Sequence, residues 1–127
     1  MVTRVLVCGS RTWIDSGIVW RTLDELNPAV IIEGCADGAD HWAELWAKVH
    51  HVPIEHFPVP PEEWNRLGRV AGPLRNQRML DEGKPDFVVA FDMGTPGTHD
   101  MMRRVNKARI PVRVIFGSAQ EEDDAGL

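Results

Sequence analysis

Four prolines, Pro28, Pro53, Pro85 and Pro111, each stand at the head of a short apolar run, and this punctuation constrains the fold more than any other feature of the chain. Proline cannot continue a helix, disfavours helical geometry in the residue before it, and is tolerated at the first position of a strand. The runs Ala29 to Glu33, Pro53 to Phe57, Asp86 to Phe91 and Val112 to Phe116 therefore join Arg4 to Cys8 as five expected strands. Between them the apolar spacing turns helical, as in Trp42, Leu45, Trp46 and Val49. Helices are expected from Asp15 or Ser16 to about Leu26, from His41 to His50, from near Pro73 to about Glu82, and from Gly97 to Ala108. The stretch Pro58 to Arg69, which contains Trp64, reads as a proline-rich connection. Such alternation implies an α/β domain, a parallel sheet with helices on both faces.

Strand order follows from the apolar pattern. VLVC, VII and FVVAF are continuous, as in strands buried on both faces, whereas IEHF and VRVIF admit a polar residue and read as edges. Right-handed crossovers place the first three strands outward in one direction, and the long Pro58 to Lys84 connection brings the chain back. The expected order of the five-stranded sheet is 3-2-1-4-5. Ligands bind such sheets outside the carboxyl ends of the strands, where the winding reverses.

At 127 residues the chain is the size of one domain, expected over residues 1–117, with an acidic and disordered tail at 118–127. No apolar run is long enough to cross a bilayer and no leader is apparent, so a cytoplasmic protein with no membrane partner is expected. The net charge of −5 argues against a nucleic-acid partner. Cys8 and Cys35 are expected to be reduced, half-buried thiols. The histidines are scattered, and His99 beside Asp100 is the one pairing that suggests a proton relay. No spacing resembles a metal site, so neither a metal nor a required cofactor is expected.

Three glycine-containing stretches converge on the expected crevice. Gly9-Ser10-Arg11 offers a turn, a hydroxyl and a guanidinium suited to phosphate. Gly34 to Asp40 offers a close-approach loop, with Gly38 inside it and with Asp37 and Asp40 as acceptors for ribose hydroxyls; one aspartate, Asp37 in particular, equally serves to cap the second helix. The third, Gly94-Thr95-Pro96-Gly97-Thr98, lies between a strand and a helix, where free N–H groups and the helix dipole favour an anion. Read blandly, it is a loop with a capping threonine. Gly72 to Met79 adds Arg75 and Asn76 facing the ligand, with Met79 one turn below. Trp64 is the tryptophan best placed to stack on a base.

GSR near the start, CADGADHWAELWA, EWNRLGRVAGPLRNQRM and VVAFDMGTPGTHDMMRRVNKARIPV together resemble the YspA-type, cpYpsA-related branch of the SLOG superfamily. The resemblance covers nearly all of Val5 to Val114. It implies a Rossmann-like domain that binds a nucleotide or nucleotide-derived ligand as a sensor, scavenger or processing module, and it implies a homodimer. The LOG phosphoribohydrolases, which are related, resemble the chain at Arg75 and Gly97-Thr98, but their glutamate three residues beyond that threonine falls on Met101. A thioether cannot transfer a proton. Asp100 lies one helical position off, about 100° away, and Glu33 is the other carboxyl to consider. A nucleotide N-glycosidase using Arg75 and an unconventional acid is thus the first alternative, and a single-stranded DNA-processing accessory resembling DprA the second. Arg75 and the Gly97-Thr98 turn are expected to share one phosphate. The helix bearing Trp42 and Trp46 and the one bearing Arg75 and Met79 are the expected dimer surfaces.

Overall fold

The computed structural model describes residues 3–117, so the expected acidic tail lies outside the described residues. Five strands, β1 (Arg4–Gly9), β2 (Val30–Glu33), β3 (Ile54–His56), β4 (Phe87–Asp92) and β5 (Val112–Phe116), form one parallel sheet in the order β3-β2-β1-β4-β5. Each of the last four begins one or two residues beyond its proline. The helices are α1 (Ser16–Leu26), α2 (Ala39–Val49), α3 (Pro61–Leu67), α4 (Ala71–Gly83) and α5 (Pro96–Lys107).

Alternation along the strands divides the core into two layers. Val5, Val7, Ile31, Val89 and Phe91 pack with Val19, Leu23 and Trp46 under α1 and α2. Their neighbours Leu6, Cys8, Ile32, Val88 and Ala90 pack with Met79, Leu80, Met101 and Val105 under α4 and α5. The central β1 and β4 are buried along nearly their whole length, while β3 and β5 at the edges are only partly covered. This is a three-layer, Rossmann-like α/β domain. No helix among the described residues is long and apolar enough to cross a membrane.

At three of the boundaries that differ from expectation, proline explains the difference. The Pro58 to Arg69 connection is mostly helical, because Pro61 occupies the first turn of α3, where its missing N–H costs nothing, and Glu62 and Glu63 favour the positive end of the dipole. A 3₁₀ turn, Gly68–Val70, leads into α4. Pro73 lies inside the first turn of α4, which starts at Ala71, and Pro96 rather than Gly97 opens α5.

β1 and β4 pair with Gly9 opposite Phe91. A Cβ on Gly9 would stand 2.7 Å from the Phe91 carbonyl oxygen and 2.8 Å from the Ala39 Cβ, so glycine here lets β4 and α2 close on the end of β1. That packing draws the loops after β1, β2 and β4 together at the switch point.

Candidate functional site

A cleft of about 660 Å³ opens at that edge. Its first wall is the loop after β1. Ser10 is almost fully buried, and its hydroxyl meets the Thr12 hydroxyl at 2.9 Å and accepts from the Thr12 N–H. Arg11 is exposed and lines the cleft, with no hydrogen bond or ion pair among the described residues.

The loop after β2 forms the second wall. Asp40 does not cap α2; its Oδ2 reaches back to accept from the N–H groups of Gly34 and Ala36, fixing the loop. Its Oδ1 is buried without a partner among the described residues. Burial, reinforced by the Glu33 carboxyl, pushes Asp40 up to about 7, against the pull of those two N–H groups and Arg75. Asp37 makes no cap either. It is exposed and lines a smaller adjoining cavity beside Arg11 and Cys35.

The third wall comes from α4. Arg75 lines the cleft, but its guanidinium is turned to the sheet edge, where Nη1 donates to the carbonyls of Gly34 at 2.6 Å and Phe57 at 3.2 Å. Those bonds do not aim it at the α5 turn. Gly34 makes the contact feasible, since a Cβ there would lie 2.6 Å from Nη1. Burial lowers the Arg75 pKa, and the Arg11 charge adds to that, against Asp40. The residue that reaches the turn is Asn76, whose Nδ2 donates to the Gly97 carbonyl at 3.4 Å and to Asp100 at 3.0 Å. Gly72 lines the same wall beside Trp64.

The fourth wall is the start of α5. Thr98 is buried and its hydroxyl meets that of Thr95 at 3.0 Å. Thr95 makes no side-chain cap, and the N–H groups of Gly97 and Thr98 have no partner among the described residues. A Cβ on Gly97 would meet nothing within 4 Å. Burial would raise Asp100, but hydrogen bonds from Arg104 and Asn76 and the nearby Arg104 and Arg103 charges outweigh it and hold Asp100 low.

Two expected glycines stand outside the cleft. Gly38 precedes α2 with a φ of 70°, and a Cβ there would collide with the Ser10 carbonyl, so it serves the approach of two loops. Gly94, with a φ of 82°, accommodates an Asx turn in which its N–H donates to Asp92 Oδ1 at 2.7 Å.

The sequence model of the YspA, cpYpsA-related SLOG family matches residues 3–66. Gene 61 protein of Mycobacterium phage D29 is 42% identical over 124 residues, covering 90% of this chain and 96% of that protein. The chain belongs to the YspA, cpYpsA-related SLOG family. Among solved structures, DNA processing protein A (DprA) of Streptococcus pneumoniae is similar at a TM-score of 0.69 and 20% identity over 93% of this chain. MurG of Acinetobacter baumannii gives 0.53 and 15% over 90%. The chain spans 52% of the DprA chain and 35% of the MurG chain. These two likenesses concern the fold.

In this SLOG domain Met101 is buried at the floor of the cleft, packed in the α4–α5 core layer. The His99–Asp100 relay does not form: His99 Nε2 pairs with Asp92, 3.1 Å from Oδ1, because Asp100 faces α4 instead. Arg69 and Arg103 also line the cleft. Helical spacing from Thr98 does not single out Arg103, and Arg69 lies in a segment that reads as loop.

Sequence spacing likewise hides a second group at the same edge. Glu33, Cys35 and His56 bring a carboxylate oxygen, Sγ and Nδ1 within 4.8 Å of one another. The two cysteines are free but not half-buried: Cys8 lies in the core, and Cys35 is exposed. Although the residue is exposed, its thiol is partly covered where it meets Glu33, and that partial burial and the Glu33 carboxyl, which accepts from the thiol, push Cys35 up to about 12, the opposite of an activated nucleophile.

Proposed function

We propose that the cleft binds a nucleotide or a nucleotide derivative, with its phosphate at the start of α5, and holds it without cleavage. The observation that carries this reading is a reversal of charge: in a chain of net charge −5, four arginines, Arg11, Arg69, Arg75 and Arg103, line the cleft against two aspartates. Unpaired N–H groups at Gly97 and Thr98 give the phosphate a fixed seat, and the arginines supply the surrounding field. Arg75 acts from the sheet side; its Nη2 has no partner among the described residues and is left for the ligand. Trp64, 38% exposed at the cleft, offers a face for a base. The role fits a cytoplasmic sensor, scavenger or processing module with no metal in the phosphate seat.

The test is calorimetric titration of the full chain with AMP, together with mass spectrometry of small molecules retained through native purification. Saturable binding that weakens in Thr98→Val supports the reading. The absence of any nucleotide binding or co-purifying nucleotide contradicts it.

One observation favours a second reading, hydrolysis of the N-glycosidic bond. Asp40 is a buried cleft carboxyl pushed up to about 7 with an oxygen to spare, which suits a general acid near neutral pH. Release of adenine from AMP over hours, abolished in Asp40→Asn and Arg75→Ala, distinguishes turnover from simple retention.

A further inference from the structure

β2 and β3 run parallel with Glu33 opposite His56, so both side chains leave the same face of the sheet at the same level. Two residues beyond Glu33 the chain adopts a φ of 61° at Cys35, which is not a glycine, and this turns Sγ back over the strand ends. Sγ lies 3.2 Å from Glu33 Oε1 and 3.3 Å from His56 Nδ1, and Nδ1 lies 2.6 Å from Glu33 Oε1. From above, α2 adds Glu44, with Oε1 3.7 Å from the same Nδ1.

Three groups thus crowd one ring nitrogen, which has a single lone pair or a single hydrogen to offer. A Cys-His-Glu hydrogen-bonded relay would string the partners through both ring nitrogens instead. A carboxylate oxygen, a thiol sulfur and a ring nitrogen gathered within 4.8 Å of one another can surround one shared ion. A tetrahedral shell with bonds of about 2.0 to 2.3 Å separates its donor atoms by about 3.3 to 3.8 Å. Two of the three separations among Glu33, Cys35 and His56 lie at or near that range, and the Glu33–His56 contact needs to open by about 1 Å or less to join them. The Glu33 side chain is 1% exposed, and among the described residues its carboxyl oxygens are met only by Cys35 and His56. His56, 45% exposed, and the exposed Cys35 leave the cluster open to solvent.

We propose that Glu33, Cys35 and His56 bind a divalent transition metal of Zn²⁺ type, with water completing the shell. One thiolate, one imidazole and one carboxylate suit Zn²⁺ and disfavour Mg²⁺ or Ca²⁺, which take oxygen shells. Binding displaces the thiol proton to solvent and needs no other co-reactant. The inference is independent of what the neighbouring cleft holds, although Gly34, between two of the ligands, also carries the carbonyl that anchors Arg75.

The test uses the full chain, dialysed against a chelator and titrated with Zn²⁺ alone and with Co²⁺ alone. The expected result is one equivalent bound, a thiolate-to-Co²⁺ charge-transfer band in the near ultraviolet, and visible bands of tetrahedral intensity. Cys35→Ser should abolish the charge-transfer band, and His56→Gln should weaken Zn²⁺ binding about tenfold or more, each with an unchanged far-ultraviolet dichroism spectrum. The wild-type Co²⁺ spectrum decides the matter even if a variant fails to fold. No charge-transfer band in the wild type, or a band that survives in folded Cys35→Ser, overturns the proposal.

Discussion

Gly9 and Gly97 flank the same cleft, yet a methyl group has opposite consequences at the two positions. At Gly9 it would stand 2.7 to 2.9 Å from atoms of Phe91 and Ala39, so Gly9→Ala should cost about 1 to 3 kcal/mol in urea unfolding. At Gly97 it meets open space, so Gly97→Ala should leave stability within about 0.5 kcal/mol. There the methyl crowds the phosphate seat, and AMP affinity should fall about tenfold by calorimetry. Asp40 supplies a pH signature. Its folded pKa of about 7 lies above the ordinary 3.8, so between those values the folded chain keeps a proton that the unfolded chain has released. Stability therefore falls as pH rises across that window, by about 1 kcal/mol per pH unit from this group, and levels off above it. Subtracting the stability profile of Asp40→Asn from that of the wild type should isolate this slope; parallel profiles contradict it.

At the scale of elements, α4 and α5 are joined through polar groups, of which Asn76 and Asp100 line the cleft. Asn76 bridges the Gly97 carbonyl and Asp100, and Arg104 holds Asp100 at 2.8 Å and Gln77 at 2.9 Å. Asn76→Ala leaves part of this buried network unmatched and should cost about 1 to 3 kcal/mol, measured by denaturant titration. The five strands and their order were legible in the sequence because their cues are local: proline at each head, β-branched runs, and polar residues admitted at the edges. Helix α3 was not, since Pro58, Pro60 and Pro61 read alike as breakers, and only geometry distinguishes a proline in a first turn. The convergence of the β1, β2 and β4 loops followed from strand order, but the direction of Arg75 did not. It depends on the space that Gly34 leaves and on a carbonyl 41 residues away in the chain. The Glu33, Cys35 and His56 cluster depends on the β2–β3 register and on one backbone angle, neither of which residue spacing encodes.

For the whole molecule, the two helices expected to carry a dimer surface turn several of their large side chains inward. Trp46 and Met79 are each 2% exposed, and the Trp46 and Trp42 indole N–H groups donate to Asp24 and Trp13 within the chain. The self-association implied by the family resemblance would use other apolar groups: Trp64 on α3, Val70 in the 3₁₀ turn and Leu74 on α4 stand exposed. Leu74→Glu should then lower the mass seen in light scattering, and a wild type that is monomeric at high concentration contradicts the dimer. With a net charge of −5 the chain should not be retained on single-stranded DNA at about 150 mM salt, where backbone contacts are already weakened. The central claim is that a nucleotide phosphate sits on the free N–H groups opening α5. Its most direct test is heteronuclear NMR of the full chain titrated with AMP, following the amides of Gly97 and Thr98. The account predicts saturable shifts that are largest at those two amides and absent with adenosine. Shifts concentrated elsewhere, or equal shifts with adenosine, would contradict it.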